Sequence, residues 1–105
     1  MAISKTVRPT ITLKRSLLFV PGSRLEIFPK ATASSADIVC VDLEDAVSET
    51  QKNNAREKVV SLILNERSQL SSSKEEIWIR INSIRSTSGL ADVLAIAQAE
   101  TAPDG

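Results

Sequence analysis

A chain of 105 residues is long enough for one domain or part of one, and its 42% apolar and 25% charged residues argue against disordered and collagen-like classes. The formal net charge is zero, so we expect neither a nucleic-acid partner nor attachment to an acidic membrane surface. Histidine is absent and Cys40 is the single cysteine, which excludes a His-dependent triad, a His-ligated zinc site and an internal disulfide from this chain.

Residues 1–14 are basic and carry no acid, so we treat them as a basic N-terminal extension. Such a composition is compatible with a transit peptide, but no long basic and apolar helical pattern develops. A short frayed terminus is the favoured interpretation. The sequence therefore predicts a cytoplasmic protein, with the mitochondrial matrix as the alternative.

The first β/α unit begins with a short apolar run at residues 16–20, which ends at a Pro-Gly turn and is typical of a buried strand. Ser23 is followed three residues later by Glu26, a capping-box spacing that predicts a helix start. Pro29 is unfavourable inside a helix, because it lacks an N–H and clashes with the preceding turn. We therefore expect a kink or a later start, with regular helix over residues 30–34.

The second unit begins with a continuously apolar, β-branched run within residues 37–43, typical of a strand that is covered on both faces. Ser48 and Gln51 form a second capping-box spacing, which predicts a helix that ends near Asn65. Its apolar stripe comprises Ala55, Val59, Leu62 and Ile63. Its polar face comprises Lys52, Asn53, Arg56 and Glu57.

The third unit follows a serine-rich loop at residues 69–73. Residues 76–82 are predicted to form a strand, and residues 83–89 a second polar loop. Residues 102–105 are turn formers that normally lead into another element. The third predicted helix has an apolar stripe made of Leu90, Val93, Leu94 and Ala97.

The β-α-β-α-β-α order predicts an α/β fold with parallel strands and right-handed helical crossovers. A complete (β/α)8 TIM barrel needs about 250 residues, so three such units would be an incomplete barrel. They would leave two open sheet edges. We expect residues 15–105 to be the N-terminal part of such a domain.

Active sites of these folds lie at the C-terminal ends of the strands. The groups that the sequence places there are a tight turn, an acidic cluster and an arginine: Pro21, Gly22, Ser23 and Arg24, then Asp42, Glu44 and Asp45, then Arg80. Acids together with a guanidinium suit a divalent metal and a carboxylate substrate.

Each of these groups also has a structural interpretation. The Pro-Gly pair can be an ordinary turn, and the acids can stabilise the N-terminus of the following helix through its dipole. Arg80 can form a structural ion pair, and Lys30 on a helix is ordinarily solvated. Trp78 and Cys40 lie within predicted strands, so we expect both to pack.

Several segments together resemble the citrate lyase β-subunit, malyl-CoA lyase and citramalyl-CoA lyase family of the HpcH/HpaI aldolase type. The resemblance runs from about residue 15 to residue 105, and its two most specific blocks are RSLLFVPGSR at 15–24 and DLEDAV at 42–47. Shorter matching segments are Lys30-Ala31, Ala36-Asp37, Lys52, Ala55-Arg56 and Arg80-Ile81-Asn82.

The resemblance implies a Mg²⁺-dependent TIM-barrel enzyme that cleaves or forms a carbon–carbon bond in a hydroxyacyl-CoA such as malyl-, citramalyl- or citryl-CoA. Its substrates would be an acyl-CoA and a small keto or hydroxy acid, and its relatives are commonly homo-oligomers, trimers or larger. Cleavage would release a thioester enolate, whose charge requires fixed electrostatic stabilisation.

The resemblance also implies roles for particular residues. Arg80 would hold the carboxylate of the keto or hydroxy acid, and Glu44 and Asp45 would bind waters on the magnesium. The direct metal ligands and the catalytic acid are expected beyond residue 105, so we assign no catalytic residue within the chain. The thioester and the CoA phosphates are expected near Pro21, Gly22, Arg24 and Lys30.

Three functional hypotheses follow. The first is a carbon–carbon lyase of the citrate lyase β type, present here as a truncated and inactive fragment. The second is a non-catalytic binding or interaction module that pairs with another chain to complete its sheet. The third is a related aldolase that acts on free keto acids, although the basic Arg24 and Lys30 favour CoA, whose phosphates need cationic partners.

Overall fold

The computed structural model describes residues 15–67 and 75–105. The predicted N-terminal extension, residues 1–14, and the predicted serine-rich loop, residues 69–73, lie outside the described residues. None of the described helices combines the length and the apolarity that a membrane crossing would require.

The described strands form one parallel sheet in the order β1-β2-β3, as the alternating pattern predicts. The strands are β1 (Leu17–Pro21), β2 (Ile38–Asp42) and β3 (Glu76–Arg80). Neighbouring strands are in register, so that Pro21 lies opposite Asp42 and Asp42 opposite Arg80. The C-terminal ends of all three strands therefore meet at one edge, which is where the predicted site residues lie.

The two faces of the sheet differ in how they are covered. On the face that packs against the helices, Val20, Val39, Val41 and Ile77 are buried, and all five residues of β2 are buried, including Cys40 as expected. On the opposite face Leu17 and Phe19 are 43% and 49% exposed. Trp78 was expected to pack but remains 36% exposed, because its side of the sheet is the one that the described helices leave open.

The first helical segment starts later than the Ser23 spacing predicts. A short 3-10 turn, Leu25–Ile27, leads into α1 (Phe28–Ala33). The predicted capping box is wrong, because no side chain caps either segment. Pro29 instead lies in the first turn of α1, where its missing N–H costs no helical hydrogen bond.

The second helical segment contains a 3-10 turn, Glu49–Gln51, then α2 (Lys52–Val59), then a π-helical turn, Val60–Leu64. Ser48 precedes it, as predicted, but does not cap it. The Ser48 hydroxyl donates to the Gln51 side-chain oxygen at 3.2 Å rather than accepting a backbone N–H.

The π-helical turn changes which residues of this segment face the core. Its wide hydrogen bond runs from the Asn65 N–H to the Val60 carbonyl at 2.8 Å. The extra residue per turn brings Leu64 into the core and leaves Leu62 52% exposed. The prediction was therefore wrong for Leu62. It is confirmed for Ala55, Val59 and Ile63.

The third helix, α3 (Thr87–Ala97), is present, but its apolar stripe faces away from the core. The buried positions are Gly89 and Asp92, and Ile96 packs partly against the core. A Cβ on Gly89 would lie 1.8 Å from the Ser83 carbonyl oxygen, so only glycine permits this approach. The predicted stripe is exposed at Leu90, Val93, Leu94 and Ala97.

The chain after α3 returns to the free edge of β3. The Asp104 N–H donates to the Ile77 carbonyl at 2.7 Å, and the Ile79 N–H donates to the Gly105 carbonyl at 3.0 Å. Arg67 secures this return through the Ala102 carbonyl and the Asp104 carboxylate. Residues 104–105 thus pair with β3, a contact that their turn-forming composition did not predict.

Candidate active site

Asp42 and Arg80 form the centre of the C-terminal edge of the sheet. Arg80 donates from Nε to Oδ1 of Asp42 at 3.0 Å and from Nη2 to Oδ2 at 2.7 Å, a bidentate pair. Asp42 is 2% exposed, whereas the Arg80 side chain is 40% exposed. Arg80 also lies over the ring of Phe19, with 5.0 Å between Cζ and the ring centroid. The structural ion pair that was an open alternative for Arg80 is present.

The Asp42 carboxylate also organises the loop that follows it. Its oxygens accept the backbone N–H of Glu44 at 2.8 Å and that of Ala46 at 3.1 Å. Burial alone would raise the pKa of Asp42, but the hydrogen bonds from Arg80 and from these two N–H groups outweigh burial and hold the pKa below its ordinary value. The same pairing raises the pKa of Arg80. Both groups are therefore charged at neutral pH.

The structure brings Glu44 and Asp45 to the same arginine. A Glu44 carboxylate oxygen lies 3.7 Å from Nε of Arg80, and an Asp45 oxygen lies 3.6 Å from Nη2. The two acidic side chains are 38% and 78% exposed. The predicted site residues Glu44, Asp45 and Arg80 thus form one cluster that is open to solvent. The buried Asp42 carboxylate supports this cluster from the side of the protein interior.

Pro21 and Gly22 border this cluster from β1. The Gly22 N–H donates to the Asp42 carbonyl at 2.8 Å. A Cβ on Gly22 would lie 2.8 Å from Cδ2 of Leu43 and 3.1 Å from the Asp42 carbonyl oxygen. Glycine therefore allows the end of β1 to approach closely the loop that carries Glu44 and Asp45, here called the acidic loop.

Arg24 and Lys30 are exposed and lie outside the cluster. Arg24 pairs with Glu26 at 3.1 Å. The Glu26 backbone N–H and the Arg24 hydrogen bond lower the pKa of that carboxyl. Among residues 15–67 and 75–105, no hydrogen bond or ion pair joins Arg24 or Lys30 to Arg80. Their role near CoA stays a prediction.

Lys52 was predicted on the solvated face of the second helix, and this was wrong. It is only 7% exposed, and its Nζ donates to the carbonyls of Leu43 and Glu44 and to the Asn82 side chain. The reason is its position as the first residue of α2, where the side chain points back towards the preceding loop. A cation in the first turn of a helix is unfavourable because of the helix dipole. A lysine at this position was therefore a sequence signal that a specific local partner binds it.

A second group of buried polar residues supports Asn82. Its side-chain N–H groups donate to the Leu43 carbonyl at 3.0 Å and to Asp92 at 2.7 Å. Arg56 donates from Nε to the other oxygen of Asp92 at 2.7 Å. Arg56 was also predicted on the solvated face, but its side chain is 11% exposed because it bridges α2 to α3. Asp92, an acid on the largely apolar α3, was the sequence signal for this contact.

An open cleft of about 640 Å³ lies beside the cluster. Its walls come from the acidic loop, the start of α2 and the loop before α3. The lining residues include Glu44, Asp45, Lys52, Asn82, Ser83 and Ser86. The cleft is polar and reaches the exposed carboxylates, so it could admit a hydrated ion or a small polar ligand.

The carboxylates fit a supporting role around Mg²⁺ rather than direct coordination. Hard oxygen donors are the ligands that Mg²⁺ prefers, and the ion usually keeps several waters. Asp42 already accepts four hydrogen bonds, whereas Glu44 and Asp45 have exposed oxygens that could accept from metal-bound waters. Within the described residues, no group of three or more acidic or Cys side chains is arranged to hold a metal ion.

The three parallel strands with helical crossovers define the class as an α/β fold that is consistent with part of a TIM-barrel-like domain. Residues 15–102 match the HpcH/HpaI aldolase/citrate lyase family. The chain belongs to this family.

Individual relatives agree with this assignment. L-malyl-CoA/beta-methylmalyl-CoA lyase from Cereibacter sphaeroides is 34% identical, covering 86% of this chain and 27% of the relative. Citrate lyase subunit beta from Haemophilus influenzae is 35% identical, covering 83% and 28%. Protein CitE from Mycobacterium tuberculosis, solved with magnesium, acetoacetate and coenzyme A, has a TM-score of 0.64 at 33% identity, covering 85% and 31%. The chain spans between a quarter and a third of the length of these relatives.

Proposed function

We propose that residues 15–105 form the first three β/α units of a TIM barrel that cleaves or forms a carbon–carbon bond in a hydroxyacyl-CoA. The observation that carries the proposal is the Asp42–Arg80 pair, with Glu44 and Asp45 beside it at the C-terminal edge of the sheet. The lyase names of the relatives, and the coenzyme A and keto acid in the M. tuberculosis structure, support this substrate class.

Arg80 would bind the carboxylate of the keto or hydroxy acid. A guanidinium has five N–H donors, and Asp42 uses one on Nε and one on Nη2. The Nη1 group and the second N–H of Nη2 remain, and they lie on the edge that can hold a carboxylate with two parallel hydrogen bonds. Asp42 fixes the plane of the guanidinium, so the orientation of a bound carboxylate would be fixed as well.

Glu44 and Asp45 would accept hydrogen bonds from waters of a bound Mg²⁺, whose direct ligands we assign to residues outside this chain. When bound, magnesium supplies Lewis-acid polarisation of the substrate oxygen. The two acids would hold those waters beside the carboxylate that Arg80 would bind. Arg80 in turn offsets the repulsion between the two carboxylates.

The remaining predicted residues would serve the CoA thioester. Pro21 and Gly22 bring backbone close to the cluster, whereas Arg24 and Lys30 are exposed cations available to the phosphates. We also propose homo-oligomer formation and a cytoplasmic location, with the mitochondrial matrix as the alternative if residues 1–14 are a targeting peptide. We propose that the 105-residue chain alone is inactive, because no catalytic acid is assigned within it.

The decisive assay measures release of glyoxylate, pyruvate or oxaloacetate from malyl-, citramalyl- and citryl-CoA by the protein that carries these residues. We expect cleavage of at least one thioester with Mg²⁺ and loss of cleavage when the ion is chelated. The 105-residue chain assayed alone is expected to show none. Cleavage of the free hydroxy acids but not of their CoA thioesters would favour the related aldolase instead.

A non-catalytic interaction module is the second candidate, favoured by the exposed apolar side chains on the open face of the sheet and on α3. Such a module would bury Leu17, Phe19 and Leu90 against a partner chain. Size-exclusion chromatography with light scattering separates the two functions. A defined complex without lyase activity in any assembly would support the module.

A further inference from the structure

The ammonium of Lys52 is hydrogen-bonded to the backbone of the loop that carries Glu44. Its Nζ donates to the Leu43 carbonyl at 3.3 Å, to the Glu44 carbonyl at 2.9 Å and to Oδ1 of Asn82 at 2.6 Å. An ammonium has three protons, and these three acceptors account for all of them. The Lys52 side chain is therefore held in one position.

This cation is buried without an ion-pair partner in the part of the chain that the structure describes. Burying a charge is costly unless its hydrogen bonds are satisfied, and an apolar side chain at position 52 would avoid that cost. The N-terminal end of α2 adds to the cost, because the helix dipole is unfavourable for a cation there. Packing alone does not explain a lysine at this position.

The identity of the acceptors indicates what Lys52 does. The Leu43 and Glu44 carbonyls belong to the two peptide groups on either side of the Glu44 α-carbon. The Glu44 N–H is in turn bonded to Oδ1 of Asp42 at 2.8 Å. With both flanking peptide planes fixed, the direction of the Glu44 Cα–Cβ bond is fixed, which limits the positions that its carboxylate can reach beside Arg80.

The third acceptor connects this loop to both neighbouring helices. Asn82 donates to the Leu43 carbonyl and to Asp92, so the orientation of its amide is set and Oδ1 faces Lys52. Arg56 holds the other oxygen of Asp92. The network thus locks the acidic loop to α2, α3 and the end of β3.

We propose that Lys52 is a positioning residue for the Glu44 carboxylate, acting through the backbone of the acidic loop. This inference rests on the proposed function for its consequence in catalysis. Without the ammonium, the Leu43 and Glu44 peptide groups lose their shared donor, and the Glu44 carboxylate is held less well beside Arg80. The water-mediated hold of Glu44 on magnesium then weakens.

The positioning itself is tested without substrate or metal, by NMR hydrogen exchange on the protein carrying Lys52→Met. The Glu44 amide, which is bonded to Asp42, is expected to exchange at least about tenfold faster, because the loop opens more often. Lys58→Met is the matched control, since it removes the same group from an exposed position on the same helix. It is expected to leave the exchange of the Glu44 amide unchanged.

The link to Glu44 is tested by a double-mutant cycle on the Mg²⁺ concentration that gives half-maximal lyase activity. Lys52→Met and Glu44→Gln are each expected to raise that concentration about tenfold, as losses of outer partners of a metal typically do. The double variant is expected to resemble the single variants rather than their product. A merely structural lysine would give additive effects.

The outcomes are separable. Unchanged exchange of the Glu44 amide in Lys52→Met overturns the positioning role, and additive effects in the cycle overturn its action through Glu44. A wild-type protein without lyase activity overturns the proposed function, and amide exchange alone then decides the role of Lys52. If Lys52→Met does not fold, Lys52→Gln replaces it, since its shorter neutral side chain cannot make the same three bonds.

Discussion

Asp42 and Arg80 are paired in register across two parallel strands, yet their exposure is unequal, at 2% for the acid and 40% for the arginine side chain. The buried carboxylate fixes one edge of the guanidinium and leaves the other edge open. This asymmetry gives the pair two functions. It holds the ends of β2 and β3 together, and it presents an oriented cation at the C-terminal edge of the sheet.

Asp42→Asn is expected to destabilise the protein. The asparagine cannot accept both Arg80 hydrogen bonds together with the N–H groups of Glu44 and Ala46, and the loss of charged acceptors costs about 2 kcal/mol. Urea denaturation of the variant and the wild type measures the difference. Asp45→Asn is the control, because the Asp45 side chain is 78% exposed. Equal stability of the two variants would contradict the role assigned to Asp42.

The contribution of Asp42 is expected to depend on pH. Its pKa is lower in the folded protein than in the unfolded chain, so the unfolded state takes up the proton first as the pH falls. The stabilisation is therefore fully present above the unfolded value of about 3.9 and is lost as the pH falls through the folded value. The stability difference between wild type and Asp42→Asn, measured by denaturation from neutral pH downwards, should shrink below about pH 4. A difference that stays constant to the lowest accessible pH would contradict this assignment.

Arg80→Lys is expected to lower the kcat/KM of the proposed lyase by about a hundredfold, because a displaced or misoriented substrate carboxylate has effects of that size. Lysine keeps the charge but cannot hold Asp42 and a substrate carboxylate on two edges at once. Steady-state kinetics with a CoA thioester and Mg²⁺ provide the measurement. Arg85→Lys is the control, since Arg85 is exposed and outside the cluster. Equal kinetics for the two variants would exclude Arg80 from substrate binding.

The strands and their shared edge could be predicted because the signals are local. Short stretches rich in apolar and β-branched residues indicated all three strands, and the alternation with helices indicated parallel pairing. Glu44, Asp45 and Arg80 follow from that topology, since parallel strands place their C-terminal ends together. The pairing of Arg80 with Asp42 depends on the exact register, which the predicted strands did not give, because aligning residues 37–43 with 76–82 would place Asp42 opposite Ile81.

The buried polar network could not be read from periodicity. Lys52 and Arg56 lie on the side of α2 that a polarity pattern assigns to solvent. In the structure this side faces Asn82, which precedes α3, and Asp92, which lies on α3. The orientation of α3 follows from those hydrogen bonds and not from its apolar stripe. Whether a polar residue is solvated or buried with partners depends on tertiary contacts, which sequence spacing does not contain.

The π-helical turn leads to a contrast between Leu62 and Leu64, which are two residues apart. Leu64→Ala is expected to cost about 2–5 kcal/mol, since Leu64 is fully buried and its removal leaves a cavity. Leu62→Ala should cost less than about 0.5 kcal/mol, the range for most surface substitutions. Chemical denaturation of both variants measures the two values. A regular α-helix through this segment would place Leu62 on the core face and reverse the order.

Two glycines are expected to differ in their tolerance of a methyl group. At Gly22 the nearest atom to an added Cβ is a side-chain carbon of the buried Leu43, at 2.8 Å, and overpacking of this kind costs about 1–3 kcal/mol. At Gly89 the nearest atom is the backbone oxygen of Ser83, at 1.8 Å, which cannot move without separating α3 from the loop before it. Gly89→Ala should therefore destabilise the protein more than Gly22→Ala. Thermal denaturation of the two variants ranks them, and the opposite ranking would mean that α3 does not approach the Ser83 backbone so closely.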